Sequence, residues 1–436
     1  MIVMKFGGSS VASAELIRSA AGIVKSQVGK KPLVVVSAVG KTTNELIELA
    51  NSAASGTGSG KCDEIIGRHL AVIKDLGLEG SIIAEQATEL KRSVKQIEEG
   101  GYVSVKALDN MMSFGERMSA RIVASCLDSL GVDSHAYDAF SVGLVTDSNF
   151  GSANPLPEGE SAMRRSLNRL SCVPVVTGFI GKDRSGDITT LGRGGSDYTA
   201  SLVGTAVNAA EIQIWTNTNG ILTADPRIVP RAENVPRISY EEELELEHLG
   251  ANTLHPRGIK PAFQRKIPVR VLNTLRPEQE GTVIKSDIPE SRRVASITHK
   301  DDMQLIHVHT NDPQGKLHGV FDIIKRHGLN VDSVTASRNG ILIILSGYYN
   351  RNLRDATREL GGMGKVTVKS DRAKVSIVGK SLSTIPGISG RAFSSLERIP
   401  IEAISYGSSG ISQSFFVKEE FASIAIRKLH KEFFGA

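Results

Sequence analysis

T-T-L-G-R-G-G-S-D-Y-T, residues 189–199, packs three glycines, an arginine, an aspartate and five hydroxyl side chains into eleven positions. Such a segment has too little apolar surface to be a core element. It offers donors, backbone room for a ligand to come close, and one carboxylate among them. Those are the parts that hold a phosphate together with an anionic substrate. A glycine-rich surface loop would also account for the glycines alone. The N-terminus shifts the balance. In M-I-V-M-K-F-G-G-S-S-V, residues 1–11, an apolar run over 2–6 reads as a buried strand and stops at Gly7-Gly8. Ser9 or Ser10 is then expected to cap a helix over 13–28, so that backbone N–H groups and the helix dipole face an anion. Lys5 can reach that anion as a point charge. A second strand-to-turn unit, L-V-V-V-S-A-V-G-K over 33–41, supports the same reading. Residues 55–62, S-G-T-G-S-G-K-C, imitate a P-loop, but the first glycine is misplaced and Cys62 stands where Ser or Thr should hold Mg²⁺. A mobile polar loop is expected there.

The length of 436 residues allows two to four domains with ample core. A net charge of +5 without a basic tail, or basic runs interleaved with aromatics, argues against nucleic-acid binding. Cys62, Cys126 and Cys172 are scattered and lack metal-ligand spacing, which fits free thiols in a reducing cytosol. The strand pattern starting at residue 2 leaves no room for a signal peptide, and no apolar run is long enough to span a bilayer. A cytoplasmic protein is expected.

Strands are expected at 2–6, 33–37, 134–138, 173–179 and 211–215, with helices at 44–53, 64–76, 84–100 and 117–130 between them. This alternation argues an α/β domain, a mostly parallel sheet sandwiched by helices, with ligands at the C-terminal strand ends. Residues 227–237 should be irregular. Residues 239–249 read as an acidic helix whose charges form a solvated face. Strands at 269–273 and 281–285 close the domain over 1–286, and 287–293 is the linker candidate. Beyond it lie strands at 303–309, 331–336 and 341–347 with helices at 319–327 and 353–360. The order repeats with strands at 374–379, 401–405 and 412–417 and helices at 390–399 and 421–432. Two ferredoxin-like units in tandem, over 294–368 and 372–436, follow from that repeat. They look like ACT domains, which suggests effector binding and assembly.

With these elements placed, the chain resembles the aspartate kinases over its full length. The motifs are K-F-G-G-S-S-V (5–11), S-F-G-E-R (113–117), G-F-I-G (178–181), T-T-L-G-R-G-G-S-D-Y (189–198), A-D-P-R (224–227) and L-H-P-R (254–257). The resemblance implies an amino-acid-kinase fold followed by two ACT domains. It also implies transfer of the ATP γ-phosphate to the side-chain carboxylate of L-aspartate, in lysine, threonine and methionine biosynthesis. A carboxylate is already a nucleophile at neutral pH, so catalysis should be positioning plus charge neutralisation, with Mg²⁺ held mainly by the ATP phosphates.

By resemblance, Lys5 with the amides of Gly7 and Gly8 stabilises the transferring phosphoryl, and Ser9 completes that turn. Asp197 orients Lys5 or a metal-bound water; alternatively it caps a helix after Ser196. Arg193 clamps the substrate α-carboxylate. Glu116 pairs with the substrate ammonium, or forms a salt bridge to Arg117 or a lysine. Ser37, Ala38, Thr43, Phe179, Thr190 and Ser196 match the rest of the aspartate pocket. On the nucleotide side, Thr216 and Arg227 are expected to hold ATP. There the chain departs from the family: W-T-D reads W-T-N with Asn217, the aromatic a few residues on is Leu222, and G-A-K reads G-A-N with Asn252. An acid and a base have both become amides, which implies two groups that were close together and weaker ATP affinity or relaxed nucleotide choice.

In the first ACT-like unit, Asp332 with Ser333 and Val334 starts a strand opposite the turn of Gln314, Gly315 and Leu317. Lysine-inhibited relatives have an acid at the matching place, so lysine rather than threonine is the expected effector. A homodimer or homotetramer through the ACT domains is expected. Two other readings stay open, an amino-acid sensor with a decayed kinase domain and a different carboxylate kinase of the same fold.

Overall fold

Ile2–Phe6 forms a buried strand whose side chains alternate between two layers. Ile2, Met4 and Phe6 join a core with Ile17, Phe114 and Met118. Val3 and Lys5 face the other layer, where the helix Gly195–Ala206 brings Gly204 against Val3 and Asp197 against Lys5. The computed structural model describes residues 1–251, 253–286, 288, 294–347, 351–407 and 409–435. The chain divides into two units. One comprises Met1–Ile221, Asn234–Tyr240 and Leu254–Ile288; the other comprises Leu222–Glu233, Glu241–Thr253 and Pro289–Ala436.

The first unit carries an eight-stranded sheet in the order Ser134–Tyr137, Val173–Thr177, Pro32–Val36, Ile2–Phe6, Ile212–Thr216, Val269–Asn273, Thr282–Ile284, Arg237–Ile238. Every pairing is parallel except that of Val269–Asn273 with Thr282–Ile284. Parallel order puts the C-terminal ends of the central strands on one edge, where ligands of such sheets bind. A small sheet of Val145–Thr146, Ile180–Asp183 and Ile188–Thr190 presents the glycine-rich loop.

Several local expectations change. Neither Ser9 nor Ser10 caps the first helix. Gly8–Ser10 is a 3-10 turn, and the helix Ala14–Ser26 is capped by Ser13, whose hydroxyl accepts from the Leu16 amide. Residues 55–62 are not all loop, because a helix starts at Gly58 and runs to Leu76. Gly58 lies against Ala53 and its N–H donates to Glu98, while Cys62 is buried. The helix expected from 117 begins twelve residues earlier, as Val105–Ser129, capped by Ser104. Its face carries Asp109 and Glu116 two turns apart, both buried.

In the second unit the acidic helix Tyr240–His248 is not a solvated face throughout. Glu242 and Glu243 are buried, and Glu242 accepts the Lys380 amide while Glu245 accepts the Ser412 hydroxyl. The candidate linker lies outside the described residues apart from Ile288.

The two ferredoxin-like units are interleaved rather than strictly tandem. One six-stranded sheet runs Val331–Ser337, Gly340–Ser346, Ser296–His309, Lys365–Val378, Ser412–Lys418, Ala403–Tyr406. Two of its strands are fourteen residues long and serve both units. The halves of Ser296–His309 and Lys365–Val378 are separated by register shifts near Met303. Residues 303–309 and 365–369 belong to the inserted first unit. Residues 296–300 pair with 374–378 and supply the fourth strand of the second unit from ahead of the first. The expected turn at Gln314, Gly315 and Leu317 is the first turn of the helix Pro313–Arg326, capped by Asp312.

Candidate active site

Four strand ends converge in the first unit. The amide of Gly7 donates to Trp215 O, Gly40 N to Gly8 O, Ser37 N to Phe6 O and Gly178 N to Val36 O, at 3.2, 3.1, 3.1 and 2.8 Å. These bonds lock the turns after Ile2–Phe6, Pro32–Val36 and Val173–Thr177 side by side. Gly8 is required by this contact: a Cβ there would meet the carbonyl oxygens of Gly40 and Ala38 at 2.8 and 2.9 Å. Gly194 has φ +70°, and a Cβ would strike His255 at 2.7 Å.

Lys5 Nζ lies 2.7 Å from Asp197 Oδ1, with both side chains about one-tenth exposed (11% and 15%). Asp197 sits in the first turn of Gly195–Ala206, capped by Gly194, so it is not the helix cap. It fixes the ammonium of Lys5 beside Gly7, whose missing Cβ would lie 3.6 Å from Nζ. Ser196 is buried against Gly178, and Phe179, at φ +68°, donates its N–H to Thr199 Oγ1 while its ring covers Gly195. Ser10 and Thr274 tie the turn to the adjacent strand end through Trp215 O.

Glu116 has a different environment. Its Oε1 accepts the Ala38 amide at 3.1 Å, and its Oε2 is buried with no hydrogen-bond partner among the described residues. Burial pushes its pKa up to about 8, against the opposing pull of the Ala38 hydrogen bond. The alternative pairing with Arg117 is excluded, because that guanidinium turns to Glu89 and Asp138 at 2.7 and 3.4 Å and lies over Phe114. A buried carboxylate with one free oxygen is a seat for a cationic group. Arg193, by contrast, is exposed and makes no hydrogen bond or ion pair among the described residues. Ser37 and Thr43 are half-buried at the strand end and the following helix Thr42–Ala54.

Two positions escaped the sequence reading. The carboxylate of Asp109 accepts from Gly151 N, Thr190 N and Thr190 Oγ1. Arg257, part of a quoted motif but given no role, donates to Ser152, Leu191, Ala153 and Asn154. The seven-residue spacing from Asp109 to Glu116 was the available signal.

On the nucleotide side, Thr216 ends its strand and its hydroxyl lies 3.4 Å from Asn217 Oδ1, with Asn217 exposed. Ser9 is exposed at the Gly8–Ser10 turn. Leu222 and Arg227 belong to the second unit, where Arg227 forks onto Asp225 and stays largely exposed. Asn252 lies outside the described residues. Among the described residues no cluster of three or more His, Cys, Asp or Glu could hold a metal ion, and no helix is long and apolar enough to cross a membrane.

In the second unit, Asp332 is not an exposed edge acid. Lys374 Nζ sits 2.7 and 2.8 Å from its two oxygens, with the side chains 7% and 4% exposed, Lys374 first. Ser333 and Val334 pair with Ile344 and Ile343, and Val334 and Leu317 border one apolar cluster. Gln314 and Gly315 are exposed.

The fold and this edge define an amino acid kinase: the model of the amino acid kinase family matches residues 1–273, and an ACT domain model matches 375–433. Aspartokinase 1, chloroplastic, of Arabidopsis thaliana is 35% identical over 99% of this chain and 80% of its own length. Two solved structures of Escherichia coli aspartokinase III align as well. The complex with aspartate and ADP has TM-score 0.81 and 30% identity, and covers 100% of both chains. The complex with lysine and aspartate has TM-score 0.83 and 32% identity, and covers 100% of this chain and 99% of that one. The chain belongs to the aspartokinases.

Proposed function

We propose that this aspartokinase transfers the γ-phosphate of ATP to the β-carboxylate of L-aspartate, giving 4-phospho-L-aspartate. The observation that carries the assignment is the buried, half-satisfied carboxylate of Glu116 on the same sheet edge as the Lys5–Asp197 pair. Glu116 receives the substrate ammonium and Arg193 its α-carboxylate, with Ser37, Ala38, Thr43, Phe179, Thr190 and Ser196 around them. Held so, the β-carboxylate faces Lys5 and the amides of Gly7 and Gly8, which neutralise the transferring phosphoryl. Asp197 keeps Lys5 aimed. The carboxylate attacks without a general base, so the protein's work is orientation and charge. Mg²⁺ would arrive with the nucleotide and screen its phosphates. In the first unit Ser9, Thr216 and Asn217 serve the nucleotide.

The Lys5–Asp197 pair and the buried, half-satisfied carboxylate of Glu116 favour a transfer reaction over a sensor. An acceptor without an ammonium is disfavoured because it would leave the buried Oε2 of Glu116 unpartnered. For regulation, we read the inserted ferredoxin-like unit as the effector site, with Gln314, Gly315, Leu317, Asp332, Ser333 and Val334 and lysine as ligand. Lys374 already neutralises Asp332, so the ε-ammonium of an effector competes with a resident one. Assembly through the ACT sheet, as a homodimer or homotetramer, completes the reading. Aspartate-dependent ADP release with Mg-ATP, with and without millimolar lysine or threonine, tests both parts. Release that needs aspartate supports the kinase assignment, and none from folded protein refutes it. Inhibition by threonine but not lysine removes the effector assignment.

A further inference from the structure

Residues 147–154 form a loop that the substrate assignment leaves unused, yet it lies against the backbone of the glycine-rich segment. Asp147 cinches it from within, accepting from Asn149 N, Asn154 N and Asn154 Nδ2. Ala153 N donates to Thr190 O at 2.8 Å. Gly192 approaches so closely that its Cβ would lie 3.1 Å from Gly151 O. Two side chains of opposite charge then staple the two segments together. From the core, Asp109, 1% exposed, takes Gly151 N at 2.9 Å, Thr190 N at 2.8 Å and Thr190 Oγ1 at 2.9 Å. From the other side, Arg257 spans both segments. Its Nη1 donates to Ser152 Oγ and Leu191 O at 2.8 and 2.9 Å, and its Nη2 to Ala153 O and Asn154 Oδ1 at 2.6 and 2.9 Å. Its guanidinium also lies over the Tyr198 ring, 5.1 Å from the centroid.

We infer that Asp109 and Arg257 are positioning residues of the acceptor site, which use the 147–154 loop as a brace to aim Thr190 and Arg193 at the substrate. The inference rests on the reading of Thr190 and Arg193 as acceptor-side groups. Arg193 has no side-chain partner of its own among the described residues, so what the fold fixes is its point of attachment, through the backbone around Leu191 and Gly192. That backbone is held by Leu191 N to Phe179 O on one side and by the brace on the other. The geometry of a planar fork on four acceptors is the property that matters, and lysine supplies charge without the fork. A misplacement of about 1 Å in a positioned group lowers turnover by about a hundredfold.

The test is kinetic, with Arg257→Lys, Asp109→Asn and the mild surface variant Ser152→Ala, each checked for folding by its melting temperature. Arg257→Lys and Asp109→Asn are expected to lower kcat/KM for aspartate by about tenfold to a hundredfold, and Ser152→Ala by about threefold. The KM for ATP should stay within about twofold. Amide exchange over 147–154 should quicken in Arg257→Lys. Aspartate kinetics within twofold of the parent in folded variants whose loop exchanges faster would overturn the inference. Equal losses for aspartate and ATP would overturn it too, as a general structural effect. Arg193→Ala separates the two layers of argument. If it leaves the aspartate KM unchanged, the reading of Arg193 fails whatever the brace does. If it raises that KM while Arg257→Lys does not, the brace alone fails.

Discussion

Aspartate binding should release a proton from Glu116. Its pKa is pushed up to about 8, because burial penalises the anion while the Ala38 amide stabilises it only in part. An ammonium seated on the unpartnered Oε2 requires that anion. Near pH 7 only about one molecule in eleven carries it, so ionising the group costs about 1.4 kcal/mol. The apparent KM for aspartate should therefore fall about tenfold between roughly pH 7 and pH 9, while the substrate ammonium itself stays protonated. Calorimetric titration with aspartate near pH 7, in buffers of differing ionisation heat, should count about 0.9 protons released, shrinking toward zero near pH 9. Glu116→Gln keeps the shape and the Ala38 contact through its amide oxygen, but loses the charge. It should raise the aspartate KM at the alkaline end by about a hundredfold and flatten the pH profile.

Stability carries the same sign. A carboxyl whose folded pKa is raised binds a proton that the unfolded chain has lost above its ordinary value of 4.5. Folding is thus penalised increasingly as pH rises from there to about 8, so Glu116→Gln should gain melting temperature over the parent across that window. A parent enzyme with a flat aspartate KM and no buffer-dependent heat would refute the reasoning, because Glu116 would then be ionised already or not in contact with the ammonium.

Gly8→Ala places a methyl into the carbonyl oxygens of Ala38 and Gly40; it should cut kcat by at least about tenfold, measured by ADP release, with little change in aspartate KM. In the effector unit, Lys374→Met should leave Asp332 buried and unpaired, lowering stability by about 3 kcal/mol in urea titration. It should also sharpen inhibition by lysine, whose ammonium then meets no competitor. Asp332→Asn should abolish any lysine response, and unchanged lysine sensitivity in both variants would remove Asp332 from the effector site. Restoring the acid and base through Asn217→Asp with Asn252→Lys should lower the KM for ATP by about threefold to tenfold; equal KM values in parent and double variant would sever these asparagines from nucleotide affinity.

Much of the catalytic edge was legible because its elements are local. A stretch of four apolar residues around Lys5, ending at Gly7-Gly8, reads as a buried strand with a close approach behind it, and Ile2–Phe6 is that strand. The start of Val105–Ser129 was not legible, because Gly115 and the charges of Glu116 and Arg117 interrupt the apolar period. All three are buried or pressed against neighbours, so they read as loop in sequence and as helix face in space. Gly58 misled for the same reason: a glycine where helix meets helix looks like one in a turn. Strand partners escaped most of all. Periodicity finds 374–379 as a strand but passes over 296–300, and nothing local says that this stretch completes the same sheet. Lys374 and Asp332, 42 positions apart, belong to the same blind spot.

What distinguishes ligand-facing groups from bracing groups here is compensation of charge. Asp109 and Arg257 have hydrogen-bond partners assigned within the protein. Glu116 keeps one buried oxygen unmatched, and Arg193 extends with no partner among the described residues. An unmatched buried carboxylate is costly to the folded state, and burial is offset when a ligand brings the missing charge. On the proposed roles, the opposite signs of Glu116 and Arg193 match a ligand carrying both an ammonium and a carboxylate. Lys5 is the intermediate case. Its charge is balanced by Asp197 at rest, so it can turn toward a phosphoryl group without an unpaired cation having been buried in the empty site. Asp197→Asn should accordingly weaken turnover more than ATP binding, because it disturbs the aim of Lys5 while leaving its charge in place.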